Sequence, residues 1–234
     1  MIEFGHASHA GLRREHNEDT YWADADAGLF LIADGMGGHG RGEVAAAIAR
    51  DAVVDAARAG HDLDTAIRAV GKVIAAQARQ ATGLPPMGTT LAALQLDADG
   101  FRAYRVGDSR ILLWYQAQLM RVDDGEPQRA ETNDTEADGA EPPPPRRNRA
   151  TQALGITPST DLCAEPVAGA LQHGMQFLIC SGSLLEAIGE PAITAVLART
   201  ELAAQECVDH LVLAALDAGG RDNLTVLLVR VMMP

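Results

Sequence analysis

The residues Leu29-Phe30-Leu31-Ile32-Ala33 run without a polar break into Asp34-Gly35. A short continuous apolar run of this kind reads as a buried strand, and this one delivers a carboxylate at its end. A glycine-rich turn, Gly35 to Gly42, follows it. The spacing of apolar residues then predicts a helix from Glu43 to about Ala59 and a second from about Leu63 to Gln80, both rich in alanine. Any fold for this chain must therefore bury a strand, hold its terminal acid, and cover it with a helix pair.

Met87 to Leu96 predicts a strand, Asp97-Ala98-Asp99-Gly100 a turn, and Phe101 to Val106 the returning strand. Arg110 to Trp114 and Gln118 to Val122 predict two more, which together suggest an antiparallel meander. Phe177 to Cys180 reads as a buried strand, and Leu184 to Ile188 and Pro191 to Arg199 as helix. Thr200 to Asp217 reads as an amphipathic helix ended by Gly219-Gly220, and Leu224 to Val231 as a last strand. Strands and helix pairs come in blocks and do not alternate one by one, which argues for an α+β fold over a doubly wound parallel sheet.

Composition narrows the function. Hydrophobic residues make up 47% of the 234, ample for a core, but aromatics only 4%, so small aliphatic side chains must fill it. A net charge of −13 gains nothing from counterion release on DNA, so nucleic acid is not an expected partner. The cysteines Cys163, Cys180 and Cys207 are odd in number and widely spaced, unlike a disulfide framework or a zinc motif, and point to a reducing cytoplasm. The opening residues lack the basic and apolar regions of a signal peptide. No run approaches the ~18 apolar residues of a membrane span.

Asp123 to Arg149 changes character. It is polar, is broken by Pro142 to Pro145, and has too little apolar surface to order itself. It reads as a mobile excursion within one domain spanning residues 1–234. Its basic end, Arg146 to Arg149, reads as a solvated charge run, the alternative being a lure for a phosphorylated partner.

Four acidic clusters stand next to Gly or Asn at strand ends: Asn17-Glu18-Asp19, Asp34-Gly35, Asp108 in Val-Gly-Asp-Ser-Arg, and Asp222-Asn223. Taken singly, each reads as turn chemistry. Converging, they would suit hard divalent cations, which take oxygen ligands and activate water.

Five blocks occur in order: Arg14-x-x-Asn17-Glu18-Asp19; Asp34-Gly35-Met36-Gly37-Gly38-His39-x-x-Gly42-Glu43-Val44-Ala45; Gly88-Thr89-Thr90; Val106-Gly107-Asp108-Ser109-Arg110; and Gly220-x-Asp222-Asn223-Leu224-Thr225-Val226. Together they resemble the bacterial PP2C (PPM) serine/threonine phosphatases over nearly the whole chain. The resemblance implies a four-layer αββα sandwich, two antiparallel sheets flanked by helix pairs. It implies a centre of two Mn²⁺ or Mg²⁺ ions, with a weaker third served by Asp108. Asp34 would bridge two metals, the Gly35 carbonyl and Asp222 would each ligate one, and Glu18 and Asp19 would act through waters. Arg14 would grip the substrate phosphate, and Arg14, Asp19 and Asp34 would form the catalytic set. The implied reaction is hydrolysis of phosphoserine and phosphothreonine by direct attack of metal-bound hydroxide. The implied partner is a phosphorylated protein, a Ser/Thr kinase or its targets, met by a cytoplasmic monomer. His39 reads as a turn residue, with proton donation as the alternative. Thr89 and Thr90 read as strand packing, and Arg110 as a structural ion-pair partner.

The chain departs from the family twice. Where the family has Cys/Ser-Ser-Asp-Gly-Leu, this chain has Cys180-Ser181-Gly182-Ser183-Leu184, so Gly182 replaces a metal-binding Asp. Ser183 is a candidate to hold a metal-bound water in its place. The segment 123–149 stands where relatives carry a flap. Gly182 motivates a second reading, a pseudophosphatase that binds phosphoproteins or a kinase. The missing flap motivates a third, a hydrolase of small phosphoesters.

Overall fold

The structure, a computed structural model, describes residues 1–38, 40–80, 84–122, 128–129 and 152–232. Its elements are β1 Ile2–His9, β2 Asp19–Asp24, β3 Leu29–Met36, α1 Arg41–Arg58, α2 Leu63–Gln80, β4 Gly88–Thr89, β5 Leu91–Asp97 and β6 Gly100–Val106. They continue with β7 Arg110–Tyr115, β8 Gln118–Arg121, β9 Gln128–Arg129, β10 Val167–Gly169, β11 Gln176–Cys180, α3 Gly182–Leu197, α4 Ala204–Asp217 and β12 Leu224–Val231.

Period-two alternation divides the interior into three apolar layers. On β3, Leu29, Leu31 and Ala33 face α1 and α2, with Ala45, Ala46, Ala49, Val53, Ile67 and Ile74. Phe30 and Ile32 face the other way and meet Ile111, Phe177, Ile179, Leu227 and Val229 of the second sheet. On that sheet's outer side, Leu178, Val226 and Leu228 pack on Leu184, Cys207, Val208 and Leu211 of α3 and α4. A fully buried side chain such as Leu31 contributes about 1.5–3 kcal/mol. The alanines of α1 bring its axis close to the sheet, which is how a core poor in aromatics closes.

One sheet runs β1-β12-β11-β7-β8-β9 and the other β10-β6-β5-β3-β2, with β4 paired to β3. Every pairing is antiparallel. The expected α+β sandwich of two antiparallel sheets between helix pairs is therefore the observed fold.

Several local expectations need correction. The meander breaks at Gly107, where a φ of 99° lets the chain leave β6 in one sheet and enter β7 in the other. The strand expected over Met87 to Leu96 divides at Thr90 into β4 and β5. Helix α3 starts two residues earlier than expected, at Gly182, and bends at Gly189 (φ 70°) just before Pro191. Helix α4 starts at Ala204 and not at Thr200, because the Glu206 carboxylate accepts the Ala203 N–H at 2.8 Å and sets the first turn. Strands β1, β2 and β10 carry no apolar run that announces them. Of the segment 123–149, residues 128 and 129 form β9 against β8; its other residues, the arginines Arg146, Arg147 and Arg149 among them, lie outside those described.

Candidate active site

The acids reach one end of the sandwich because antiparallel pairing brings the start of one strand to the end of its neighbour. Asp19, the first residue of β2, lies opposite Asp34 near the end of β3. Asp222 lies two residues before the start of β12, Asp108 lies between β6 and β7, and Arg14 and Glu18 lie between β1 and β2.

Asp19 is 9% exposed. Its Oδ2 accepts the Thr225 hydroxyl at 2.7 Å, a bond from the opposite sheet. Its Oδ1 is buried with no hydrogen-bond partner. Such an orphaned oxygen is costly unless something else satisfies it. Burial first, then the charges of Asp19, Asp108 and Asp222, push the Asp34 carboxyl up to about 8. Burial also raises Asp19, to about 6, against the downward pull of the Thr225 hydroxyl. Two desolvated carboxyls in each other's field favour a proton or a cation.

The backbone around Asp34 is held on both sides. Thr90 Oγ1 accepts the Asp34 N–H at 3.2 Å, and the Thr89 hydroxyl donates to the Asp34 carbonyl at 2.9 Å. Thr90 is tied in turn to Ser109 Oγ at 2.7 Å, beside Asp108. Thr89 packs within β4, as expected, whereas Thr90 lies at the break between β4 and β5; both brace the site, a role that sequence reading missed. Asn223 is another unassigned brace. Its Oδ1 accepts the Glu18 N–H at 2.8 Å, and its Nδ2 donates to the carbonyls of Ala10 and His16 at 3.0 and 2.9 Å. Its adjacency to Asp222 was the signal available for it.

Glu18 Oε1 accepts the Gly42 N–H at 3.2 Å, so the acid caps the start of α1. Gly35 and Gly42 lie back to back. A Cβ on Gly42 would stand 2.7 Å from the Gly35 carbonyl carbon and 2.8 Å from Glu18 Cδ. Gly42→Ala is expected to lower stability by about 1–3 kcal/mol and to weaken divalent-cation binding, read by urea unfolding and calorimetry. Unchanged values in both would show that this close approach is dispensable.

Arg14 Nη2 donates to Asp222 Oδ2 at 2.8 Å in an exposed pair. The other N–H groups of its fork suit a phosphate. Asp108 faces Gly182: a Cβ at position 182 would lie 3.3 Å from the Asp108 carboxylate. Ser183 is not aimed at a ligand, since its hydroxyl donates to the Asn223 carbonyl at 2.6 Å. His39 lies outside the described residues.

Thus Asp19 and Asp34 are brought together, and Asp108 and Asp222 act on both through their charges. Among the described residues, no three His, Cys, Asp or Glu side chains close into a metal cage. The donor set still fits a hard cation. Mg²⁺ and Mn²⁺ sites use one or two carboxylates plus waters, and the orphaned Asp19 Oδ1 is an oxygen donor in need of a partner. A cavity of about 290 Å³ lies at the opposite end of β5 and β6, where Asp97 and Arg102 pair with each other, away from these acids.

The raised pair has a consequence for stability. Carboxyls whose folded pKa is raised stabilise the fold while protonated, below about pH 4, and that contribution is lost as pH rises through about 6 and 8. The Tm of the EDTA-treated protein is expected to fall between pH 5 and 8. The rise in Tm on adding Mn²⁺ is expected to be larger at pH 8 than at pH 5.5. In Asp34→Asn the Tm profile in EDTA flattens; a wild-type profile that matched it would rule the pair out as the cause.

The family model for protein phosphatase 2C matches residues 7–140. The serine/threonine protein phosphatase PstP of Mycobacterium tuberculosis is 33% identical over 99% of this chain, which spans 45% of that relative's length. The serine/threonine phosphatase stp of Listeria monocytogenes is 30% identical over 94% of this chain and 92% of its own. The solved catalytic domain of PstP, in complex with two manganese ions, superposes with a TM-score of 0.79 at 27% identity, covering 99% of each chain. With its ordered motifs, its sandwich and the opposed Asp19–Asp34 pair, the chain belongs to the protein phosphatase 2C family.

Proposed function

We propose that this chain is a metal-dependent protein phosphatase that hydrolyses phosphoserine and phosphothreonine in a partner protein, a Ser/Thr kinase or its targets. The observation that carries the reading is the opposed Asp19–Asp34 pair, with Asp19 buried and its Oδ1 unsatisfied, set beside the exposed Arg14–Asp222 pair. Asp34, Asp222 and the Gly35 carbonyl would hold Mn²⁺ or Mg²⁺, with Glu18 and Asp19 acting through water and Asp108 serving a weaker third ion. When bound, the cations lower the pKa of water and offset charge on the phosphate. Arg14 orients that phosphate, and Asp222 keeps the guanidinium from swinging away. Thr225 holds Asp19 in one rotamer, leaving Oδ1 toward the site. Thr89 and Thr90 hold Asp34 by its own peptide groups.

No helix among the described residues is long and apolar enough to cross a membrane. The widely spaced cysteines Cys163, Cys180 and Cys207 suit a reducing cytoplasm, and the proposed state is a monomer. The test is phosphate release, in Mn²⁺, from matched phosphothreonine and phosphotyrosine peptides and from para-nitrophenyl phosphate. The reading expects the phosphothreonine peptide to have the highest kcat/KM. A preference for the small ester would favour a small-molecule hydrolase.

A further inference from the structure

Arginines in this chain generally find acids. Arg50, Arg68, Arg102, Arg121 and Arg199 each sit within 3.1 Å of a carboxylate. That is the expected outcome where 32 acidic residues outnumber 19 basic ones. Arg13, Arg58, Arg79 and Arg221 are exposed and have no hydrogen bond or ion pair among the described residues; Arg58 lies over the Trp22 ring instead. Of these, Arg13 and Arg221 lie in loops and not on a helix.

They also share a place. Arg13 adjoins Arg14, and Arg221 adjoins Asp222, the two residues joined by the 2.8 Å ion pair at the site mouth. Their loops are packed together: the Leu12 N–H donates to the Gly220 carbonyl at 2.9 Å. A Cβ on Gly11 would stand 2.2 Å from the Asp222 carbonyl oxygen and 3.1 Å from the Arg221 carbonyl carbon. Loops this close move as one rim. The acids on it are Asp222, taken by Arg14, Glu18, whose carboxylate accepts the Gly42 N–H, and Glu15. In a chain of net charge −13, this rim carries as many arginines, Arg13, Arg14 and Arg221, as acids.

We infer that the rim carrying Arg13 and Arg221 is a docking surface for acidic residues that flank the phosphorylated side chain of a substrate protein. The inference rests on the phosphatase reading, which puts the phosphate at Arg14. An extended chain advances about 3.3 Å per residue. Acidic side chains within about two residues of the phosphorylated one therefore lie about 7 Å or less along the chain from the phosphate, and Arg13 and Arg221 are one residue from Arg14 and Asp222. Neither arginine contacts the acids of the site, so the rim selects the substrate without taking part in the chemistry. An exposed ion pair is weak and screened by salt. Each arginine should account for a factor of about two to five in affinity, and the two together for about tenfold.

The test uses the Mn²⁺-loaded protein and two phosphothreonine peptides of equal length, one with Asp and Glu flanks and one with Ser and Gln flanks. Hydrolysis gives kcat/KM, and non-hydrolysable phosphonate versions of both give Kd by fluorescence anisotropy. The acidic peptide is expected to be preferred by about tenfold at low salt, with little preference left near 1 M salt, where screening acts over about 3 Å. In the double variant Arg13→Ala, Arg221→Ala the preference disappears while turnover of the neutral peptide stays. Equal affinity for the two peptides, or an equal loss on both in the variant, overturns the inference. So does equal binding of an unphosphorylated acidic peptide, which would make the rim a general anion patch. If no peptide is hydrolysed, the phosphatase reading fails, while the phosphonate affinities still judge the rim.

Discussion

Asp34→Asn should lose phosphate-releasing activity by roughly a thousandfold or more, the scale seen when a catalytic set loses a member on which the others depend. The change keeps the shape of the side chain and removes its charge. The Thr89 and Thr90 bonds run to the backbone of residue 34, so they survive the substitution. What disappears is one carboxylate oxygen and the negative charge that would hold a cation, and with the charge the repulsion between Asp34 and Asp19. The metal-free variant should therefore be at least as stable as wild type at pH 8 while binding Mn²⁺ poorly. Phosphate release, EDTA melting curves and calorimetry together check this. Activity above a tenth of wild type would remove Asp34 from the centre of the account.

Gly182→Asp should strengthen Mn²⁺ binding by about tenfold or more, since a charged contact of this kind is worth about 1.5–3 kcal/mol. Position 182 opens α3 and looks across at Asp108, with a Cβ site 3.3 Å from its carboxylate. Asp108 must give way by a few tenths of an ångström, which a side chain at an exposed position can do. Two facing carboxylates repel without a cation and bind one together. The variant is thus expected to melt lower than wild type in EDTA and higher in Mn²⁺. A Mn²⁺ dissociation constant unchanged from wild type would mean that positions 182 and 108 do not share an ion.

Where a signal was local, the sequence carried it. The run at Leu29 to Ala33 announces β3 because both of its faces are buried, under α1 on one side and against the second sheet on the other. The acids of the site were legible because their motifs keep family order. Strand β1 was not, since it is an edge whose residues Glu3, His6, Ser8 and His9 are partly exposed. Its place is set by α4: Glu3 accepts the Ala204 N–H at 2.7 Å, and Gly5 has no room for a Cβ against the Ala204 and Gln205 backbone. The Thr225–Asp19 bond joins residues 206 apart in sequence, so nothing near either one predicts it. Ser183 illustrates the reverse. A hydroxyl beside Gly182, where the resemblance leads one to expect a ligand Asp, suggested a replacement, but the backbone of Asn223 takes it.

The central claim is that a cation held at Asp34, with Asp19 beside it, is what makes this fold release phosphate. One titration tests it most directly: Mn²⁺ added to the EDTA-stripped protein, followed by calorimetry and by phosphate release from a phosphothreonine peptide. The account predicts that release is absent before metal is added, rises along the binding curve, and is lost together with binding in Asp34→Asn. Release without metal would contradict it. Tight Mn²⁺ binding with no release would instead mark the chain as a binding module that retains the site without the reaction.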